Sequence, residues 1–183
     1  MNHVKINSAD FQKILNFLDN EDILLILTIG NAWLNRLQIQ KVAFLLSKLL
    51  RIKIDVEPYK FGPFTESLLE KLEFPANRRF IKKYESKYGL TDEGKRVYFF
   101  LIDRLKAQGR EDVVKILDML RKMSDEDLLA LTYYLFPEYA IESEIKKRVE
   151  KRIKTLRNVL KITVTRKKDD TIIIEIPEDK VSK

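Results

Sequence analysis

Cysteine is absent from this 183-residue chain, which removes disulfides, thiolate nucleophiles and cysteine-based metal sites together. The single histidine, His3, stands near the chain start, so neither a histidine-centred catalytic triad nor a zinc site built on histidines is available. Five glycines include no phosphate-cradling loop, which leaves nucleotide hydrolysis without a motif. Long apolar runs are missing as well. Ile23–Ile29 is followed within a few positions by Asn31 and Asn35, far short of the roughly 18 apolar residues that cross a bilayer. Met1-Asn2-His3-Val4-Lys5 lacks the basic start, apolar stretch and small-residue site of a secretory leader. The expectation is a soluble, cytoplasmic protein with neither cofactor nor metal. Asp55, Glu57 and Lys60 have the residue types of a metal-dependent nuclease, but Pro58 and the spacing spoil the match, so no enzymatic activity is expected.

What the chain does have is charge, at 34% of residues, beside 45% hydrophobic residues that suffice for a proper core. The bias toward Lys, Arg and Glu is that of heat-adapted proteins, in which ion pairs cost less desolvation as temperature rises. The net charge of +7 is unevenly spread. Residues 1–77 are neutral, 78–110 carry +6, 111–145 carry −6, 146–168 carry +10 and 169–183 carry −3. Two basic patches of this kind fit an anionic partner.

Hydrophobic spacing and capping residues predict a helix from Ser8 to about Asp19 and a second over Glu21 to Ile29, capped by Asn20. A third starts at Asn35 with Gln38 in the capping-box position, and its broad apolar face marks it as the central core helix. Ile52, Ile54 and Val56 alternate with Lys53, Asp55 and Glu57 as in a strand. Gly62-Pro63 then turns the chain into a short helix from Thr65 to Glu73. Phe80 to Glu85 and Tyr88 to Leu90 read as hairpin strands around Ser86-Lys87. Thr91 caps a helix running to about Leu105, and further helices follow over Asp112 to Arg121 and from Ser124 to Phe136-Pro137. Residues 145–160 read as a single-stripe amphipathic helix, and Lys161 to Lys168 with Thr171 to Ile176 as a terminal β-hairpin.

Strand, turn, short helix, basic hairpin and new helix, in that order between Asp55 and Tyr98, is the grammar of a winged helix. The fold class expected is therefore mainly α (α+β), a winged helix-turn-helix with added C-terminal helices and a terminal β-hairpin. The winged-helix-like part spans 1–110, a helical extension packs on it over 111–160, and the hairpin and tail occupy 161–183.

Arg78, Arg79, Lys82, Lys83 and Lys87 surround the wing, where phosphates attract cations regardless of sequence. The short helix presents Thr65, Ser67 and Lys71 as further candidate contacts. It also presents Glu66, Glu70 and Glu73, whose carboxylates oppose a phosphate field, so most of the attraction must come from elsewhere. The C-terminal helix supplies it through Lys147, Arg148, Lys151 and Lys154, since Glu150 alone cannot neutralise that face by pairing along the helix. The acidic segment 111–144 is the internal alternative to an external anion.

Leu37-Gln38-Ile39-Gln40-Lys41-Val42-Ala43-Phe44-Leu45-Leu46 is followed by Glu57-Pro58-Tyr59-Lys60-Phe61-Gly62-Pro63-Phe64 and then by Tyr88-Gly89-Leu90-Thr91-Asp92-Glu93-Gly94. Downstream stand Asp127-Leu128-Leu129, Tyr133-Tyr134-Leu135-Phe136-Pro137-Glu138-Tyr139 and Ser143-Glu144-Ile145-Lys146. In this order the motifs resemble the YwgA-like and Panacea (SocA antitoxin-like) families, in their archaeal branch, over residues 37–147. The resemblance implies a winged-helix-like domain of a regulator or antitoxin. Two functions follow as expectations: a transcriptional regulator that binds duplex DNA, as a homodimer, through a basic wing and a basic C-terminal helix, or a protein-interaction module of antitoxin or adaptor type.

Overall fold

The computed structural model describes residues 18–74, 78–140, 149–155, 163–166 and 172–175. Helix α1 (Asn20–Ile29) begins one residue earlier than expected, because Asp19 and not Asn20 is the cap. The Asp19 carboxylate accepts from the backbone amides of Glu21 and Asp22, and the Asp22 side chain accepts from the Asp19 amide in return. At its other end α1 has no basic residue of its own. Arg121 from a later helix fills that role: its Nε donates to the Thr28 carbonyl at 3.0 Å and a terminal nitrogen donates to that of Leu27. Its side chain is only 6% exposed, so the guanidinium satisfies carbonyls that α1 leaves open away from water. The helix expected to start at Ser8 lies outside the described residues.

Strand β1 (Leu34–Asn35) leads directly into α2 (Arg36–Leu50), whose start is the expected capping box between Asn35 and Gln38. Every residue of α2 from Ile39 to Ser47 is buried, so the helix is surrounded on all sides. Helix α1, the later helices α3 (Glu66–Glu73), α5 (Glu111–Lys122) and α6 (Asp125–Leu135) and strand β3 (Gly62–Phe64) pack against it. Each fully buried Leu, Ile or Phe in it contributes about 1.5–3 kcal/mol through removal from water. Its polar side chains are matched to backbone. Gln40 donates to the Thr65 carbonyl at 2.8 Å and accepts from the Thr65 amide at 2.9 Å. Lys41 donates to the Pro63 carbonyl at 2.6 Å, and Ser47 donates to the Phe44 carbonyl. Two side chains of the central helix therefore fix the chain just before α3 (Glu66–Glu73).

Between α2 and α3 the expected strand over 52–57 is corrected. Ile52, Ile54 and Val56 do turn toward the core while Lys53 and Asp55 are exposed, but no ladder forms there. The alternation reports burial of one edge of an extended segment and not pairing. Pairing begins at β2 (Glu57–Tyr59), which meets β3 (Gly62–Phe64) in an antiparallel hairpin. The tight turn is thus Lys60-Phe61, and Gly62-Pro63 lies in the returning strand.

After α3 come β4 (Ile81–Tyr84) and β5 (Lys87–Leu90), joined by the two-residue turn Glu85-Ser86, in which Glu85 adopts a positive φ of 53°. The register pairs Lys82 with Gly89 and Tyr84 with Lys87, and β1 docks on the far side of β5 through Leu34 opposite Tyr88. The sheet order is β1-β5-β4. Thr91 then caps α4 (Asp92–Ala107) as expected, accepting from the Gly94 amide, while its own amide donates to the Phe80 carbonyl at 2.9 Å. A Cβ at Gly94 would stand 2.1 Å from that carbonyl oxygen, so only glycine lets α4 start against the strand.

Helices α5 (Glu111–Lys122) and α6 (Asp125–Leu135) complete the core, α6 with Ser124 as its cap as expected. Val113, Ile116, Leu117, Leu120, Leu128 and Leu131 share one apolar cluster with α1 and α2. The other side of α6 offers Leu129, Ala130 and Tyr133 to a second cluster, which takes in Val149 and Ile153 of the helical stretch 149–155. Strands β6 (Thr163–Arg166) and β7 (Ile172–Glu175) pair with each other antiparallel, as the terminal hairpin was expected to do. The protein is mainly helical with small antiparallel sheets, an α+β architecture.

Candidate nucleic-acid interface

Alternation along a strand divides the cations of β4 between two faces. Ile81, Lys83, Tyr88 and Leu90 fall on one face of the hairpin, and Lys82, Tyr84, Lys87 and Gly89 on the other. Lys83 therefore turns toward the end of α3, where Glu73 collects three donors. Arg36 donates to it at 2.5 Å, Lys83 at 3.2 Å, and the Tyr88 hydroxyl donates as well. Those bonds, from Tyr88 first and then Arg36, hold the Glu73 carboxyl down at about 2. Bonds to Glu73 and Tyr88 likewise raise Lys83. This cluster ties α2, α3 and the hairpin together, and it engages a cation that the sequence offered as a phosphate contact.

Arg79 is engaged in the same way. Its guanidinium meets Glu93 in the first turn of α4 at 2.5 Å and 2.7 Å, and the bond from Arg79 lowers the Glu93 carboxyl. Arg78 is exposed. Lys82 and Lys87 make no ion pair among the described residues, and both are exposed on the outer face. There the Lys82 ammonium stands 5.6 Å from the centroid of the Trp33 indole, whose ring meets that of Tyr84 edge-on at 6.3 Å. Sequence reasoning missed Trp33 and Tyr84. The available signal was parity, since Tyr84 is two residues from Lys82 on a strand, and Trp33 precedes the strand that pairs with β5.

The contacts expected from α3 are corrected. Thr65 is 2% exposed and its backbone is bound to Gln40, so it faces the core and not a ligand. Ser67 donates to Glu21 at 2.6 Å. Lys71 donates to Asp19 at 2.6 Å and to Asp22 at 3.0 Å. Burial opposes the Asp19 charge, but bonds from Lys71 and from the Asp22 and Glu21 amides leave its carboxyl lowered. The physical reasons differ: Gln40 of α2 clamps Thr65 at the core, while α3 lies against the acidic start of α1, which takes Ser67 and Lys71. Glu66, Glu70 and Phe74 remain exposed.

On the C-terminal helix Lys147 and Arg148 lie outside the described residues. Lys151 and Lys154 are exposed, with no ion pair among the described residues. Arg152 donates to Asp127 at 2.5 Å and lowers that carboxyl, so the acidic first turn of α6 does bind one cation of this helix.

A cleft of about 500 Å³ lies between the hairpin turn and the starts of α2 and α6. Arg36 and Lys83 line it, but so do Glu85 and Asp125, and an anion gains no net attraction there. Among the described residues no group of three His, Cys, Asp or Glu side chains is placed to hold a metal, and no helix is long and apolar enough to cross a membrane. Comparison with protein-family models, curated proteins and solved structures finds no match.

Proposed function

We propose that this chain is a cytoplasmic, non-enzymatic winged-helix DNA-binding protein, a transcriptional regulator that holds duplex DNA through its basic wing and the basic face of its C-terminal helix. The connectivity α1-β1-α2-α3-β4-β5, with β1 against β5, supports the winged-helix reading; the β2–β3 hairpin is an insertion between the second and third helices. The observation that carries the proposal is the outward display of Lys82 and Lys87 on the wing, away from every carboxylate that holds Arg79 and Lys83. Phosphates meet such cations without first displacing a carboxylate. Helix α3 contributes shape and orientation more than attraction.

The test is a mobility-shift titration of duplex DNA across salt concentrations. About five phosphate contacts, from Arg78, Lys82, Lys87, Lys151 and Lys154, give a slope of log affinity against log salt of about −4.5. Binding that is absent at low salt, or insensitive to salt, would overturn the proposal.

A second reading, an antitoxin-type or adaptor module acting through protein, is favoured by one observation. The inserted β2–β3 hairpin keeps Tyr59 and Phe61 52% and 43% exposed, which suits a protein contact. Pull-down from native cells with a Tyr59→Ser, Phe61→Ser variant as control separates the two.

A further inference from the structure

We infer that the outer face of the three-stranded sheet is a stacking platform for an unpaired base of single-stranded DNA, with Trp33 as its floor and Lys82 and Lys87 as its phosphate partners. The inference rests on the wing as a nucleic-acid surface and deepens that reading by naming the state of the strand it takes.

Trp33 is 44% exposed, yet its ring is held in place. Extending the β1–β5 register by one pair sets it opposite Gly89. A Cβ at Gly89 would stand within 3.0 Å of three indole atoms, so the missing side chain is what lets the ring lie against the strand. Tyr84, 67% exposed, forms a wall to this floor, its plane tilted 72° to the indole. The Lys82 ammonium stands over the indole, 5.6 Å from its centroid, and Lys87 is the cross-strand partner of Tyr84.

Scattered exposed aromatics are ordinary on a protein surface. Two rings in edge contact, one of them seated on a glycine, with two cations beside them that make no ion pair among the described residues, are a combined feature. In a duplex the base faces are stacked on one another, so its outside offers no π surface to cover the indole. An unpaired nucleotide offers both parts at once: a base face for Trp33 and a phosphate for Lys82 or Lys87. The cations also decide between occupants, since an apolar protein segment would cover the rings but leave both ammonium groups without counter-charge.

Trp33 is the only tryptophan in the chain, so its emission reports the platform directly. The full chain is titrated with a short oligothymidylate, with oligouridylate, and with a duplex lacking overhangs. Saturable quenching by oligothymidylate is expected. Trp33→Leu should weaken oligothymidylate binding about tenfold or more, measured by anisotropy of a labelled strand, and leave duplex affinity within about twofold. Trp33→Phe, which keeps a ring on Gly89, should recover most of the loss. No quenching at saturation, equal losses on single strand and duplex, or binding of oligouridylate alone overturns the inference. Lys82→Glu with Lys87→Glu separates the two levels. If that variant leaves duplex binding intact, the wing reading itself fails; if it abolishes duplex binding while Trp33→Leu leaves single-strand affinity unchanged, only the platform fails.

Discussion

Helix α3 and the β4–β5 hairpin follow one another in the chain and both carry lysines, yet their lysines have opposite fates. Lys71 on α3 is held by Asp19 and Asp22, whereas Lys82 on the hairpin stands over the Trp33 ring and makes no ion pair among the described residues. The contrast repeats within one strand. Lys82 and Lys83 are adjacent, but strand parity sends Lys83 to Glu73 and Lys82 to the outer face. Availability of a cation depends on which acids the fold brings beside it. A charge count along the chain cannot supply that information.

The comparison is sharpened first by the groups that fix α3 from beneath. Gln40→Met keeps the volume but leaves the buried amide and carbonyl of Thr65 without partners. At roughly 1–3 kcal/mol for each orphaned group, the loss should be about 3 kcal/mol in a urea melt. Duplex affinity of the folded variant should be unchanged. A loss of less than about 1 kcal/mol would mean that the Gln40 clamp does not set the position of α3.

Next comes pH. Burial pushes the Lys41 ammonium down to about 7 in the folded protein, against 10.5 when the group is free. Between those values the unfolded chain binds more protons than the folded one, so stability rises as pH increases from 7 toward 10.5, by at most about 1.4 kcal/mol per unit. Lys41→Met should flatten that rise. Glu73 acts at the other end, because its folded value of about 2 lies below its free value of 4.5. Its contribution is complete above 4.5 and disappears as pH falls toward 2, and Glu73→Gln should remove that acid-side dependence. Melting temperatures across pH 2–10.5 check both, and a Lys41→Met profile parallel to wild type would contradict the burial account.

The smallest effect concerns the acids of α3. Glu66→Gln with Glu70→Gln should tighten duplex binding by about threefold through reduced repulsion, with little change in stability. A large loss would show instead that these carboxylates make direct contacts.

Much of the fold was legible because local chemistry and global packing agree. Asn35 with Gln38, Thr91 with Gly94, and Ser124 mark helix starts that the structure keeps, and the hairpin expected around Ser86-Lys87 forms with its turn one residue earlier, at Glu85-Ser86, which puts Lys87 in the strand. The segment 52–56 misled because one-sided burial gives the same pattern as a paired strand. Thr65, Ser67 and Lys71 misled because their partners, Gln40, Glu21, Asp19 and Asp22, lie 25 to 52 positions away. Of the candidate site, the basic hairpin was legible as composition. Its division into an occupied and an open face needed the register, and Trp33 carried no sequence signal apart from its place before β1.

The most direct test is the salt dependence of duplex binding for two paired variants beside wild type. Lys82→Ala with Lys87→Ala should reduce the steepness of log affinity against log salt by about 1.8, the value for two lost phosphate contacts. Ser67→Ala with Lys71→Ala should leave the slope as it is, because those side chains face α1. An unchanged slope for the hairpin pair together with a shallower one for the α3 pair would contradict the account.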